Sequence, residues 1–211
     1  MISSLRADSL VDPVETQGMA PRLTVRKAVM SDIAPILDLI NGYAAKGVML
    51  ARTEFEMSEA IRDFSVVTLD NELLGCGALH FYSPTTAEIR SLAVNDRAKT
   101  KGVGRKLIEA LVAEAVQFEL DAVFAFTYVV EFFGRVGFHV VERGALPLKA
   151  WKDCLRCPKF QECDEIAVLR ILRPDHWEQA QPQPWGNIMT SPSDELIQIP
   201  TPRNPQSAPA E

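Results

Sequence analysis

With 211 residues, 47% of them hydrophobic, the chain has enough apolar material for one domain of about 150 residues with a true core, plus tails. Its net charge of −6 argues against a general nucleic-acid binder, because the basic residues are offset overall and cluster chiefly in one turn. No apolar run is long enough for a membrane span, and the N-terminus MISSLRADSLVDPVETQG has no basic segment leading an apolar one, so a cytoplasmic protein with neither a membrane nor a nucleic-acid partner is expected.

Residues 1–21 lack sustained periodicity and are expected to be a disordered N-terminal segment. The folded domain is expected over residues 22–172. A short strand at Leu23–Arg26 opens it, and Ser31 is positioned to cap a helix whose apolar residues Ile33, Ile36, Leu37 and Ile40 share one side, with Gly47 beyond its end. Thr53 and Glu56 have the capping-box spacing and open a second helix that turns Met57, Ile61 and Phe64 inward. Ser65–Leu69 and Leu73–Phe81 read as strands joined at Asp70-Asn71, a hairpin pair, and Glu88–Val94 reads as a central strand. After Gly102 and Gly104 comes a helix with Leu107, Ile108, Leu111, Val112, Ala115 and Val116 in one stripe, followed by a buried strand at Ala122–Thr127. Residues 173–211 are rich in proline and polar side chains and read as a disordered tail, although Trp177, Trp185 and the Ile197/Ile199 pair would suit a docking segment.

The stretch from Ala87 to Ala115, AEIRSLAVNDRAKTKGVGRKLIEALVAEA, joins a strand, a basic glycine turn and an amphipathic helix. A glycine turn lets backbone N–H groups crowd round an anion, and the first turn of the following helix adds free donors and the positive end of its dipole. Arg97, Lys99, Lys101, Arg105 and Lys106 bring cations to the same place. A P-loop would need Lys-Ser/Thr after the last glycine, where Arg105 and Lys106 stand; a dinucleotide fingerprint would need a small residue where Leu107 stands.

With those two set aside, the segment resembles the acyl-CoA-binding signature of the GNAT acetyltransferase superfamily, a Gln/Arg-x-x-Gly-x-Gly/Ala turn between strand and helix. Lys99 occupies the Gln/Arg position, keeping the charge but not the planar fork. The resemblance implies an α/β fold with a central, mostly antiparallel mixed sheet flanked by helices. EFFGRVGF is similar to the closing Tyr-x-x-x-Gly-Phe unit of the same superfamily, but Phe133 stands where many members have a general-acid tyrosine, so that role does not transfer. Phe132, Phe133 and Phe138 read as core aromatics.

Three stretches, Val48–Val67, Ala87–Val94 and Phe132–Leu169, are similar to the acetyltransferase domain of the bacterial N-acetylglutamate synthase family in its short, free-standing form. The Leu-x-Arg-Thr segment around Arg52 and the Leu-Pro-x-Lys-x-Trp segment are the most distinctive parts. What this implies is transfer of acetyl from acetyl-CoA to the α-amino group of L-glutamate, the first step of arginine synthesis. Members are commonly homodimers.

The resemblance implies that acetyl-CoA is held by Lys99, Lys101, Gly102, Val103, Gly104, Arg105 and Lys106 at the pyrophosphate. It also implies that the main chain of Leu92, Ala93 and Val94, on a strand splayed from its neighbour, meets the pantetheine and thioester. Arg52 and Arg90 are the candidate substrate-binding residues, because a guanidinium fork matches a carboxylate. Glu88 is the candidate general base, acting through a water, since burial beside a cleft raises a carboxylate's pKa toward what deprotonating an ammonium requires.

Cys154, Cys157 and Cys163 are three thiols within ten residues, one ligand short of a zinc site unless His139 or His176 completes it; no metal is expected, and reduced structural thiols are the default. Cys76 lies in an apolar strand and His80 reads as a strand-surface residue. Two alternatives stay open: a non-catalytic acyl-CoA-binding sensor, and an acetyltransferase acting on another amine such as L-glutamine or a protein N-terminus.

Overall fold

A computed structural model of the chain describes residues 23–146, 157–159 and 161–179. In chain order the elements are β1 (Leu23–Lys27), α1 (Ile33–Ala44), α2 (Glu54–Ala60), β2 (Phe64–Leu69), β3 (Glu72–Phe81), β4 (Thr86–Val94), α3 (Val103–Gln117), β5 (Ala122–Thr127), α4 (Val130–Gly134), β6 (His139–Val140), β7 (Ile166–Ile171) and α5 (Pro174–Gln179). They build one seven-stranded sheet in the order β1-β2-β3-β4-β5-β7-β6. Every neighbouring pair is antiparallel except β4 and β5, which are parallel and connected through α3. The expected mixed, mostly antiparallel sheet with flanking helices is therefore the fold.

Local chemistry explains most of the element boundaries. Thr53 caps α2 as a full capping box: its hydroxyl accepts the Glu56 N–H at 3.2 Å, and the Glu56 carboxylate accepts the Thr53 N–H at 2.8 Å. Asp70 and Asn71 both sit at positive φ, 48° and 67°, which is the conformation a two-residue hairpin turn demands. Ser31 does not cap α1. Residues Met30–Asp32 form a short 3-10 turn, and Asp32 accepts the Val29 N–H at 2.8 Å, its carboxylate already held by Arg26 at 2.6 and 2.9 Å. Ser31 lies inside this turn rather than at the helix boundary, and α1 starts after Asp32 with no side-chain cap.

The two faces of the sheet carry separate layers. On one, Ile108, Leu111, Val112 and Ala115 of α3 pack against Leu79, Ala87, Ile89, Val123, Ala125 and Val168. On the other, Ile33, Ile36 and Ile40 of α1 and Met57 of α2 cover Val66, Cys76, Ala78 and Ala93. Leu107, Ile108 and Leu111 are fully buried, each contributing about 1.5–3 kcal/mol. Val116, at the margin of the expected stripe, is instead 56% exposed.

The chain stays ordered past the expected boundary at 172. Residues Pro174–Gln179, placed in the tail by their composition, form α5. Trp177 packs against the cluster of Phe124, Leu146, Ala167 and Leu169, and His176 Nδ1 lies 2.6 Å from a carboxylate oxygen of the fully buried Asp121. Trp185, Ile197, Ile199 and the N-terminal segment 1–21 lie outside the described residues.

Candidate active site

The sheet opens at β4. Its parallel ladder with β5 runs only from Thr86↔Ala122 to Glu88↔Phe124, while β5 continues to Thr127 and is paired with β7 along its whole length on the other edge. Thr86–Ile89 are all buried, whereas Arg90, Ser91, Leu92 and Val94 are partly exposed. Past Glu88 the two strands have parted, so no strand flanks the outer half of β4 on that side among the described residues.

A bulge re-aims this outer half. On β3 one residue, Gly77, separates Cys76 from Ala78, while their partners Ala93 and Arg90 on β4 are separated by two, Ser91 and Leu92. Ser91 takes a φ of 53° to absorb the extra residue. Gly77 lies opposite the bulge, where a Cβ would stand 3.0 Å from Leu92 Cδ1 and 3.2 Å from Leu111 Cδ1. Cys76 Sγ donates to the Ser91 carbonyl at 3.8 Å, and burial pushes its thiol up to about 12, so it is an inert packing residue.

Strand alternation sorts the candidate side chains. Ala87 and Ile89 join the α3 layer, so Glu88 and Arg90 project to the α1–α2 face. Glu88 is 1% exposed, in mid-strand rather than at a solvated strand entry. It stands between two cross-strand partners, His80 on β3 and Phe124 on β5. His80 is not a free surface residue: its Nδ1 lies 2.7 Å from Asp63 Oδ2, and its ring meets Tyr82 edge-on at 5.1 Å.

Arg52 lies in the α1–α2 connection on the same face of the sheet. Its backbone is clasped by Asn41 of α1, whose Oδ1 accepts the Arg52 N–H at 2.9 Å and whose Nδ2 donates to the Arg52 carbonyl at 3.0 Å. Tyr43, one half-turn further along α1, donates to the Val94 carbonyl at 2.6 Å. Neither Asn41 nor Tyr43 carries a sequence signal, because both partners are distant in the chain.

The glycine turn leaves the start of α3 uncapped. Gly102 takes the left-handed conformation at φ 74° and stands at the N-cap of α3 without any side-chain cap, and no acidic residue occupies the first turn. The amides of Val103 and Gly104 thus open the positive end of a 15-residue helix. Gly104 lets α4 come close: a Cβ there would be 3.2 Å from Phe132 Cζ and 3.6 Å from Val94 Cγ2. Two contacts across β3, Ala93 O and Val103 Cγ1, would each lie 3.0 Å from a Cβ at Gly75, so the helix start is pressed against the open end of β4. This donor set, with its uncapped amides beside a strand edge that β5 does not cover, fits a pyrophosphate followed by an extended amide chain.

The cations divide into two groups. Lys99 pairs with Asp96 at 2.6 Å and lies over the Tyr43 ring at 5.3 Å, which raises its pKa and lowers that of Asp96. Arg105 pairs with Glu109 at 2.7 Å, and Arg97 pairs with Glu72. Lys101 and Lys106 are exposed beside the turn. Charge counting assigned all of these to the anion; the structure engages three with neighbouring carboxylates.

Phe133 is buried at 3% and packs edge-on against Phe132 and Phe138 at 5.5 and 5.1 Å. It is a core aromatic. Of the cysteine cluster, Cys154 lies outside the described residues, as do Pro147, Lys149 and Trp151; Cys157 and Cys163 are free thiols. Cys163 Sγ lies 3.4 Å from Arg143 Nη2. His176 is committed to Asp121 and His139 is exposed on β6 opposite Leu169. Among the described residues no group of three or more His, Cys, Asp and Glu side chains could hold a metal ion, and no helix is long and apolar enough to cross a membrane.

Comparison with known proteins agrees with this geometry. Residues 41–138 match the model of the acetyltransferase (GNAT) family. An uncharacterised N-acetyltransferase of Chlorobaculum tepidum is 40% identical over 148 residues, 70% of this chain and 96% of that protein. An amino-acid acetyltransferase of Mycobacterium tuberculosis is 35% identical over 138 residues, 64% of this chain and 79% of that protein. Among solved structures, N-acetylglutamate synthase of Neisseria gonorrhoeae, complexed with coenzyme A and N-acetyl-glutamate, superposes with a TM-score of 0.66 at 26% identity; the match covers 74% of this chain and 36% of that one.

Proposed function

The chain belongs to the GNAT family of acetyltransferases, which transfer acetyl from acetyl-CoA to an amine, and from that premise we propose that its acceptor is the α-amino group of L-glutamate. The observation that carries the proposal is the set of groups on one face of the sheet where β4 leaves β5: a buried carboxylate, Glu88, two residues from Arg90, under the connection that holds Arg52. An acceptor with two carboxylates and an ammonium group needs that complement, two guanidinium forks and a base. The similarity to amino-acid acetyltransferases supports the same reading.

In this mechanism the uncapped amides of Val103 and Gly104 take the pyrophosphate, with Lys101 and Lys106 adding charge at the rim. The main chain of Leu92–Val94, free of a strand partner on the β5 side, lines the pantetheine and polarises the thioester carbonyl. Those N–H groups stabilise the oxyanion as the carbonyl becomes tetrahedral, which is where preorganised donors contribute most. Arg52 and Arg90 hold the acceptor's carboxylates and so aim its nitrogen. Glu88 removes the ammonium proton through a water, the neutral amine attacks the carbonyl carbon, and the C–S bond breaks to release CoA. The core position of Phe133 leaves that residue no part in protonating the thiolate.

The deciding experiment measures CoA thiol release by the full chain with acetyl-CoA and L-glutamate, L-glutamine or other amino acids, with Arg52→Ala alongside. Release that requires glutamate and falls at least tenfold in Arg52→Ala is the expected result. Release with glutamine alone, or with a peptide N-terminus, would move the acceptor assignment. Tight acetyl-CoA binding without release for any amine would instead leave an acyl-CoA-binding module.

A further inference from the structure

The anchor and the cofactor strand come from distant parts of the chain, yet one helix touches both. Ile33, Ile36 and Ile40 fix α1 to the sheet, being 7%, 0% and 0% exposed. The residues that follow Ile40 turn outward from that apolar stripe. Asn41 makes two hydrogen bonds to the backbone of Arg52, 11 residues on, and Tyr43 makes one to the carbonyl of Val94, 51 residues on.

An amide is the one uncharged side chain that offers a donor and an acceptor in the spacing of a peptide group, so Asn41 pairs with Arg52 as a neighbouring strand would. Arg52 is thereby pinned from one side, and the Thr53 cap of α2 pins it from the other. Tyr43 holds the last residue of β4 just before the turn that leads to Gly102, and its ring is bracketed by the ammonium groups of Lys46 and Lys99 at 5.2 and 5.3 Å.

Resting on the assignment of Arg52 as acceptor anchor, we propose that the C-terminal end of α1 positions both substrates, with Asn41 setting the acceptor's anchor and Tyr43 setting the strand that holds the thioester. The spacing between amine and carbonyl carbon is then fixed through a single rigid element. Near-attack geometry tolerates little error, and a displacement of about 1 Å can cost on the order of a hundredfold in rate. Asn41 and Tyr43 are positioning residues, since each acts through another group.

The test is steady-state kinetics of the full chain, varying L-glutamate and acetyl-CoA separately, for Asn41→Ala, Tyr43→Phe, Arg52→Ala and the Asn41→Ala/Arg52→Ala pair. Loss of two hydrogen bonds in Asn41→Ala is expected to raise the KM for glutamate about tenfold while the KM for acetyl-CoA stays within about twofold. Tyr43→Phe is expected to do the reverse, acting on acetyl-CoA. In the Arg52→Ala background Asn41→Ala is expected to add nothing, because its effect runs through Arg52. A parallel rise of both KM values following a fall in Tm, or full additivity in the double variant, overturns the proposal and leaves α1 a structural helix. If Arg52→Ala alone leaves the glutamate KM unchanged, the acceptor assignment fails first, which the cycle reads separately. Asn41→Ser serves where Asn41→Ala does not fold.

Discussion

Arg26 and Asp32 show how one charged pair can order the approach to a helix that no side chain caps. The bidentate Arg26 guanidinium, aided by the Val29 N–H, holds the Asp32 carboxyl below its ordinary range although burial opposes this. A carboxylate with a depressed folded pKa stabilises the fold above its unfolded pKa of about 3.9, and that contribution is lost as pH falls through the folded value. Arg26→Met should therefore lower the urea midpoint at pH 6 and flatten its decline below about pH 4. Urea titrations from pH 2 to 6 measure this; a parallel decline in both proteins would show that the pair does not set the acid limb. At the same scale, Arg90 and Glu88 could be singled out from the sequence by residue type and strand position, and Arg52 by the resemblance of the Leu-x-Arg-Thr segment. Asn41 could not, since its partner is fixed only when α1 and the α1–α2 connection fold together. The cations of the glycine turn were legible as charges, but the commitment of Lys99 to Asp96 and Tyr43 was not.

Among the elements, α3 and the open end of β4 depend on how closely they approach. Gly75 is the spacer, with a backbone oxygen and a valine methyl each 3.0 Å from where a Cβ would lie. Ala93 O cannot yield as a flexible side chain could, so Gly75→Ala is expected to destabilise the protein by about 1–3 kcal/mol. The same change should weaken acetyl-CoA binding, since it pushes the first turn of α3 away from Val94. Chemical denaturation and calorimetric titration with acetyl-CoA check the two effects; an unchanged midpoint would show that the contact relaxes freely. The α3 stripe, the Thr53 box and the Asp70-Asn71 turn were readable because their physics is contained within a few residues. The Ser91 bulge was not, because it arises from the mismatch of two strands that meet only in the sheet.

For the molecule as a whole, α5 is tied to the sheet by a buried carboxylate and a tryptophan contact. Asp121 is fully buried at the start of β5, accepts from His176 at 2.6 Å, and has Arg173 at 3.9 Å; its own carbonyl accepts the N–H groups of Leu172 and Arg173. Removing the imidazole leaves a buried carboxylate short of its nearest donor, at a cost of about 1–3 kcal/mol. His176→Ala should therefore lower Tm by several degrees, and truncation after Leu172, which also removes Trp177 from the Phe124–Leu169 cluster, should lower it further. An unchanged Tm in both would mean that α5 is not part of the cooperative unit. Composition assigned this helix to a polar tail, because a lone Trp and His among prolines have no periodic partner in their own segment; their partners are Asp121, just before β5, and a cluster shared by β5, Leu146 and β7.

By itself the sequence determined the helices and strands from β1 to β5 and the glycine turn between β4 and α3, which follow from hydrophobic periodicity and turn chemistry acting over a few neighbouring residues. The mixed sheet and the acetyltransferase family were implied by the resemblance of the glycine turn and the Phe132–Leu169 stretch to known sequences. Only the tertiary structure decided where β4 parts from β5, which cations remain at the turn, how α1 reaches Arg52 and Val94, and that residues Pro174–Gln179 form a helix packed on the sheet. Each of these depends on groups brought together across the sheet, where packing and hydrogen-bond competition choose among partners that sequence proximity does not distinguish.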